Sequence, residues 1–289
     1  MQTLNDLKDS YKSGRLTLSD DEYLGKDGLP YCSKCKTPRF FASDNGSMAF
    51  LCSCKCQAEE TEREKQAEER QKRIEEFNNR KRLSLLGERY KGATFKAAKI
   101  TEHNREAFIR AKNYVDKADE VLKNNIGLYI YGDNSTGKTY LTACICNELI
   151  WKMRSCVYTN LAIILNEIRS SYDGKGMSEC ALLAHLESYD FAFIDDLGKE
   201  FIGRGYNPHS SKWAEEKLFE VLNARYNAQK PTVFTSNYSI QQLANVLNLD
   251  KAIVERINEM STRVIKLDGD DFRESERKRK SDIAKELGI

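Results

Sequence analysis

The sequence lacks a long apolar run, a leader peptide and a clear excess of either charge. No hydrophobic stretch approaches the ~18 residues that span a membrane, and the first residues show no signal-peptide progression of basic, apolar and small residues. The formal net charge of the 289 residues is only +2, so any basic patch that binds nucleic acid must be local. These absences predict a cytoplasmic protein without a membrane partner.

Histidine is scarce, with three residues, whereas cysteine is plentiful, with nine. An odd number of cysteines in a chain without an export signal favours reduced thiols, some holding metal, over a disulfide framework. Zn²⁺ takes four soft ligands in a tetrahedron, usually as two close pairs. Cys32 and Cys35 form the first pair. For the second pair we favour Cys54 and Cys56, with Cys52 as the alternate. So small a segment could hardly fold without the metal.

The strongest pattern lies between residues 126 and 142. Alternating apolar residues that end at Gly132 predict a buried strand, and apolar residues at helical spacing follow Thr139. Strand, glycine loop and helix form the context of a phosphate-binding loop, whose N–H groups and helix dipole favour an anion. Lys138 is expected to reach the β- and γ-phosphates of ATP, and Thr139 to ligate Mg²⁺. The predicted nucleotide contacts are Gly132, Asp133, Asn134, Ser135, Thr136, Gly137, Lys138, Thr139 and Tyr140.

Two further predicted strands end in polar residues. The apolar run 191–194 leads into Asp195 and Asp196, which matches a Walker B strand. Asp195 is expected to hold Mg²⁺ through water, and Asp196 to polarise the attacking water. Because Asp196 is one methylene shorter than the usual glutamate, we predict slow hydrolysis. Asn237 ends the strand predicted at 231–237, so we expect it beside the γ-phosphate, at the carboxyl edge of a parallel sheet.

Phosphoryl transfer needs more positive charge at the γ-phosphate than Lys138 alone provides. Arg256 and Arg273 are the late arginines that we nominate as catalytic residues. An arginine finger contributes about three to five orders of magnitude in rate. The competing interpretation for each is a surface salt bridge.

The chain is predicted to have three parts. Residues 1–57 form the zinc-binding module, and residues 58–82 form a charged helical linker without Gly or Pro, with acid-first i,i+4 pairs such as Glu76 and Arg80. Residues 83–289 form the nucleotide domain. Within that domain we predict one helix over 101–123, a helical stretch over 240–260, a last strand at 263–268 and a frayed basic tail at 277–280.

These motifs together resemble the AAA+ helicase loaders of the DnaC/DnaI/IstB type. The segments that carry the resemblance are G-D-N-S-T-G-K-T (132–139), F-I-D-D-L-G (193–198), N-A-R-Y (223–226), P-T-V-F-T-S-N (231–237) and E-R-I (255–257). The resemblance implies an α/β fold of the AAA+ (ASCE P-loop) class. Helices would sandwich a parallel sheet with strand order five-one-four-three-two, behind a small zinc-binding module and a helical linker.

The resemblance also implies residue roles and partners. It makes Lys138 and Thr139 Walker A residues, Asp195 and Asp196 Walker B residues, Asn237 sensor one, Arg256 a finger acting on a neighbouring subunit, and Arg273 sensor two. The N-terminal module would dock on a replicative DnaB-type helicase. The AAA+ domain would bind ATP or ADP with Mg²⁺, contact single-stranded DNA and self-associate. Candidates for the DNA contacts are Arg169, Lys175 and Arg204.

The expected function is ATP-dependent loading of the replicative helicase onto single-stranded DNA by a weak, DNA-stimulated ATPase. Three alternatives remain open. A transposition helper ATPase of the IstB kind shares the core but usually lacks the cysteine module. A small-molecule P-loop kinase would need an acceptor pocket and lid arginines close to the loop. In a pure adaptor, ATP would only stabilise the fold.

Overall fold

The computed structural model describes residues 3–44, 46–174, 176–201, 208–269 and 271–287, with the side chains of 208–211, 273, 275 and 276 left aside. The chain divides into two compact units, Met1–Glu75 and Glu76–Ile289. Lys175 and Arg204, two of the proposed DNA contacts, lie outside the described residues. Of the helices that are described, none is long and apolar enough to cross a membrane.

The first unit consists of one short helix and two small antiparallel hairpins. The helix is α1 (Leu4–Lys12), and the strands are β1 (Glu22–Leu24), β2 (Pro30–Cys32), β3 (Phe40–Ala42) and β4 (Ala49–Leu51). Strand β1 pairs with β2, and β3 pairs with β4.

The apolar core of the first unit is small. Its buried members are Leu7 of α1, Leu29 and Ala49. Burial of three side chains stabilises a fold by only a few kcal/mol, roughly 1.5–3 for each large one, so this unit needs a further source of stability.

The charged segment forms one continuous helix, α2 (Lys55–Leu83), and this fully described helix buries none of its residues. The helix is not interrupted because the segment contains no Gly or Pro. The predicted ion pair of Glu76 and Arg80 is formed, with 2.8 Å between Oε1 and Nη2. Near its end Phe77 stacks on Trp151, with 4.0 Å between ring centroids.

The second unit is built on five parallel strands. They are β5 (Leu128–Tyr131), β6 (Cys156–Asn160), β7 (Phe191–Leu197), β8 (Thr232–Ser236) and β9 (Arg263–Lys266). Their order in the sheet is β6-β7-β8-β5-β9, and all four pairings are parallel. When the five strands are numbered one to five in chain order and read from the β9 edge, their order is five-one-four-three-two. This confirms the predicted strand order.

Helices cover both faces of this sheet. They are α3 (Arg105–Asp116), α4 (Ala118–Lys123), α5 (Lys138–Trp151), α6 (Leu161–Tyr172), α7 (Glu179–Ser188), α8 (Pro208–Asn227), α9 (Ile240–Asn245), α10 (Lys251–Met260) and α11 (Phe272–Glu286). Because successive strand residues point to opposite faces, Leu128 and Ile130 join one buried cluster and Tyr129 the other. Both faces are therefore apolar, as expected of a parallel sheet. The predicted α/β fold is confirmed.

Two helical predictions need correction, and one helix was missed. The predicted helix over 101–123 begins only at Arg105 and is interrupted at Lys117, whose φ of −100° and ψ of 29° are not helical. The stretch 240–260 is two helices, because Asp250 starts a new one by accepting a hydrogen bond from the N–H of Ala252. Helix α7 was not predicted.

The basic tail is helical rather than frayed. The N–H of Phe272, at the start of α11, donates to the carbonyl oxygen of Ser135 in the phosphate loop at 3.1 Å. The carboxylate of Asp271 accepts from the N–H of Glu274 and caps the helix. Glu274 and Lys278 form an i,i+4 ion pair on its surface. The cap and the hydrogen bond to the phosphate loop stabilise the first turn of this helix, although composition alone predicted a frayed tail.

Candidate nucleotide site and cysteine cluster

The phosphate loop depends on two glycines. Gly132 has φ +158°, and a Cβ there would lie 2.1 Å from the carbonyl oxygen of Leu267. Gly137 has φ +96°, the left-handed region that favours glycine. These two positions let the chain curl from the end of β5 into the first turn of α5, so that the loop N–H groups and the helix N-terminus surround one space.

Lys138 is buried inside this loop. Its Nζ donates to the carbonyl oxygens of Gly132 at 2.9 Å and Asp133 at 2.7 Å. Burial lowers the pKa of Lys138, while Asp196 and Asp195 act in the opposite direction. The ammonium group therefore lies inside the loop, where the charges of both acids act on it.

Thr139 and Asp195 are brought together by the tertiary fold. The Thr139 hydroxyl donates to Asp195 Oδ2 at 3.0 Å, and the Thr235 hydroxyl, from β8, donates to Oδ1. Burial raises the pKa of Asp195, and these hydrogen bonds oppose that rise. A hydroxyl and a carboxylate in contact are hard oxygen donors of the kind that Mg²⁺ takes, so these residues fit the ion.

Asp196 adopts an unusual backbone conformation for a non-glycine residue. Its φ is +57°, and the β7–β8 register shifts between Ile194 and Leu197. Its N–H donates to the Thr235 hydroxyl at 2.8 Å. The carboxylate forms an ion pair with Lys199, 2.6 Å from Oδ2 to Nζ. The second acid of the pair is thus turned away from the strand and toward the cavity.

One cavity of about 610 Å³ contains most of the predicted nucleotide residues. Seven of the nine predicted nucleotide contacts, Asn134 to Tyr140, line it together with Asp196 and Asn237. The sequence did not point to the other lining residues, which are Arg89, Tyr90, Ala97, Lys99, Asn104, Phe108, Lys199, Phe272 and Arg279. The aromatic rings of Tyr90, Phe108 and Phe272 offer the apolar surface that a base requires.

Arg256, one of the two nominated arginines, is not among the described residues that line this cavity. Arg256, on α10, lies over the ring of Tyr226 with 3.7 Å from Cζ to the ring centroid, and pairs with Glu259 at 3.3 Å. Its Nε is buried and has no hydrogen-bond partner among the described residues. The side chain of Arg273 lies outside the described part.

Four cysteines of the first unit converge. The sulfur atoms of Cys32, Cys35, Cys54 and Cys56 all lie within 4.8 Å of one another. The sulfur of Cys56 is 3.6 Å from that of Cys32 and 3.3 Å from that of Cys54. Sulfur atoms around zinc, with Zn–S of about 2.3 Å, lie roughly 3.8 Å apart, so the cluster fits the ion. Cys52, the alternate, is not part of it.

Neighbouring polar groups act on these thiols. The Thr37 hydroxyl lies 3.0 Å from the sulfur of Cys35 and lowers the pKa of Cys35 to about 5. Arg39 places Nη1 3.6 Å from the sulfur of Cys54, and its Nε pairs with Glu22 at 2.9 Å. A thiolate is the form that binds metal. The Thr37 contact favours it at Cys35, whereas the neighbouring thiols, Cys54 first, raise the pKa of Cys56 to about 12.

Taken together, the parallel sheet, the phosphate loop and the acids at the end of β7 define a P-loop ATPase of the AAA+ class. The chain belongs to the family described as IstB-like ATP binding protein, whose profile matches residues 42–281. It is related to the DnaC and DnaI helicase loaders.

Individual relatives support this assignment. The phage-like element PBSX protein XkdC of Bacillus subtilis (strain 168) is 27% identical over 267 residues, covering 90% of each chain. The replicative helicase loader DnaC of Escherichia coli (strain K12) is 27% identical over 147 residues, 50% of this chain and 55% of DnaC. Since the match spans about half of DnaC, the activity and partners of that whole protein remain proposals here.

Solved structures agree on the fold. The crystal structure of DnaI superposes with a TM-score of 0.52 at 26% identity, covering 66% of this chain and 98% of that chain. The DnaC helicase loader gives a TM-score of 0.52 at 21% identity over 63% of this chain and 100% of that one. The latter likeness concerns the fold alone.

Proposed function

We propose that this protein is an ATP-dependent loader that places a replicative DnaB-type helicase on single-stranded DNA. The observation that carries the proposal is the single cavity in which the phosphate loop, Asp196 and Asn237 meet. Thr139 in this loop contacts Asp195. Two relatives, DnaC and DnaI, are named replicative helicase loaders.

The residues of the cavity suit binding and slow hydrolysis of ATP. Lys138 would contact the β- and γ-phosphates, and Thr139 with Asp195 would hold Mg²⁺, which neutralises phosphate charge. Asp196 would accept a hydrogen bond from the attacking water, and Asn237 would contact the γ-phosphate. The water oxygen bonds to the γ-phosphorus as the bond to the β,γ-bridging oxygen breaks, which yields ADP, inorganic phosphate and a proton.

Arg256 would act on a neighbouring copy rather than on its own chain. Support comes from its position on α10, where it packs on Tyr226 and pairs with Glu259 instead of lining the cavity. Self-association would bring this guanidinium to the γ-phosphate of the next subunit, where a finger raises the rate by about 10³–10⁵. Arg273, at the start of α11, would serve as the second sensor.

The cysteine cluster would hold a structural zinc ion through Cys32, Cys35, Cys54 and Cys56. Its support is the convergence of four sulfur atoms in a unit with a very small apolar core. We assign residues 1–57 to a helicase-docking module, 58–82 to the linker and 83–289 to the AAA+ domain. Because the proposed partners are the replicative helicase and DNA, the protein would act in the cytoplasm.

A loading assay tests the proposal. Helicase is mixed with circular single-stranded DNA, ATP and either wild-type protein or Lys138→Ala, and the DNA-bound helicase is counted. The variant should lose loading, because the loop then lacks the cation for the phosphates. Lys123→Ala, at an exposed lysine of α4 outside the cavity lining, is the matched control and should load normally. Equal loading by Lys138→Ala and wild type would refute the proposal.

A transposition helper is the second candidate, since the family profile is described as IstB-like. The two differ in the partner that accelerates ATP hydrolysis. Stimulation by a replicative helicase with single-stranded DNA favours the loader, whereas stimulation only by a transposase favours the helper.

A further inference from the structure

Lys199 is a second lysine of the nucleotide cavity, and neither the phosphate-loop motif nor the paired acids account for it. It starts the 3-10 turn Lys199–Phe201, which follows β7 after one residue, Gly198. Its Nζ lies 2.6 Å from Asp196 Oδ2, and its side chain is 46% exposed. The pair is therefore open to the cavity rather than buried in the core.

The neighbours of Lys199 place its ammonium group beside the phosphate loop. It lines the 610 Å³ cavity and also an adjoining pocket of about 530 Å³, which it shares with Asp133, Asn134 and Asn237. Burial is the largest cause of the lowered pKa of Lys138, and the positive charge of Lys199 also lowers it. Two like charges face the same space, and an anion between them would relieve their repulsion.

The backbone around the pair has contacts of its own, whereas the ion pair is partly exposed and open to competition from a ligand. The N–H of Asp196 is held by the Thr235 hydroxyl. Gly198 has φ +106°, and a Cβ there would lie 2.9 Å from Leu247 Cδ1. A lysine side chain, by contrast, has a flexible four-carbon stem and rotatable donors, and a partly exposed one-to-one ion pair is weak.

We propose that Lys199 binds the γ-phosphate and leaves Asp196 when ATP enters the cavity. The inference rests on the proposed function of the cavity. The γ-phosphate oxygens compete with a single carboxylate for the ammonium group, and charge-assisted contacts to phosphate are strong in a partly enclosed site. Once released, the carboxylate of Asp196 can accept a hydrogen bond from the attacking water. With ADP, Lys199 returns to Asp196 and occupies the oxygen that this water would use.

Lys199 would thus couple recognition of the third phosphate to activation of the water. ADP lacks the group that draws the lysine away, so binding of ADP should not depend on Lys199. This difference between the two nucleotides separates a γ-phosphate contact from a general contribution to the fold.

Calorimetric titration of full-length protein with a non-hydrolysable ATP analogue and with ADP, at millimolar Mg²⁺, tests the proposal. For Lys199→Gln we expect analogue affinity to fall about tenfold, the effect of one charged hydrogen bond, with ADP affinity changed less than twofold. The kcat of ATP hydrolysis should also fall. Lys199→Arg keeps the charge and should restore analogue binding. Lys123→Gln, at an exposed lysine outside the cavity lining, should match wild type, and unchanged melting temperatures establish that the variants fold.

The possible results are distinct. Equal losses for both nucleotides, or no loss for either, would overturn the inference while the proposed function stands. A higher kcat with unchanged analogue affinity would also overturn it, because Lys199 would then only block Asp196. Failure of the wild-type protein to bind either nucleotide would remove the proposed function and this inference together.

Discussion

The two units of the chain differ in what can hold them together. The first unit has three buried apolar residues in its core cluster and four converging thiols. The second has a large apolar cluster on each face of a parallel sheet, formed by residues from nearly all its strands and helices. Apolar burial can account for the second unit, whereas the first requires a cross-link such as a metal.

Cysteine shows the same difference at the level of one residue type. Cys144, Cys146 and Cys156 of the second unit are at most 1% exposed and belong to an apolar cluster. Burial raises the pKa of Cys144 to about 12, so this thiol stays protonated. In the first unit, the Thr37 hydroxyl lowers the pKa of Cys35. Surroundings, rather than residue type, separate an apolar side chain from a metal ligand.

Loss of the proposed zinc ion should have the largest effect and should fall on one unit only. We expect Cys35→Ser or a strong zinc chelator to unfold the first unit, because binding of this ion would supply the main part of its folding free energy. The second unit should keep its melting temperature. Zinc content, measured by atomic emission, and amide NMR spectra of the full chain follow the two units separately.

Cys52→Ser is the matched control for this experiment, since Cys52 lies in the same segment but outside the sulfur cluster. It should retain one zinc per chain and a folded first unit. Zinc loss in Cys52→Ser equal to that in Cys35→Ser would contradict the assigned ligand set.

Removal of Arg225 should destabilise the second unit without touching the first. Arg225 is 1% exposed, and its guanidinium donates to the carbonyl oxygens of Leu186, Tyr189, Asp190 and Pro231. Arg225→Met should lower the free energy of unfolding by about 3–5 kcal/mol, because buried acceptors lose their donor. Denaturant unfolding of the second unit measures this, with zinc content unchanged.

Arg110→Met, at an exposed arginine of α3 whose pair with Glu106 is on the surface, is the comparison variant. Its effect should stay below about 1 kcal/mol. Equal effects of the two substitutions would mean that the carbonyl contacts of Arg225 contribute nothing.

The smallest expected effect is a higher free energy of unfolding when Asp195, in the nucleotide site, is replaced by Asn. Burial raises the pKa of Asp195, so the folded state binds this proton more tightly than the unfolded state. The resulting stabilisation is present below the unfolded-state pKa and is lost as pH rises through the raised folded-state pKa. At neutral pH, Asp195→Asn should therefore raise the free energy of unfolding of the nucleotide-free protein, by less than Arg225→Met lowers it.

The same substitution should weaken Mg²⁺-dependent ATP binding, because the carboxylate ligand is lost. Thermal unfolding with and without Mg²⁺-ATP measures both effects, and Asp173→Asn, at an exposed carboxylate, is the control. A variant less stable than wild type at pH 7, yet equally stable at a pH below 4, would show that Asp195 stabilises the fold in its charged form.

Much of the second unit could be predicted from local pattern. The loop from Gly132 to Thr139 was recognisable because its geometry depends on glycines and on adjacent strand and helix periodicities. The order of the five strands followed from the family resemblance and was confirmed. Helix ends were less predictable. Lys117 and Asp250 interrupt apolar periodicities that continue past them, because local backbone conformation and capping determine where a helix stops.

By itself, the sequence determined which residues could bind phosphate and which cysteines were available for a metal, because both depend on spacing along the chain. Only the tertiary structure decided that Cys54 and Cys56, rather than Cys52, join the first pair. It also decided that Lys199 and Asp196 face the phosphate loop, since these contacts join segments more than fifty residues apart. Distances across such separations are fixed by packing of the sheet and helices, which no local pattern encodes.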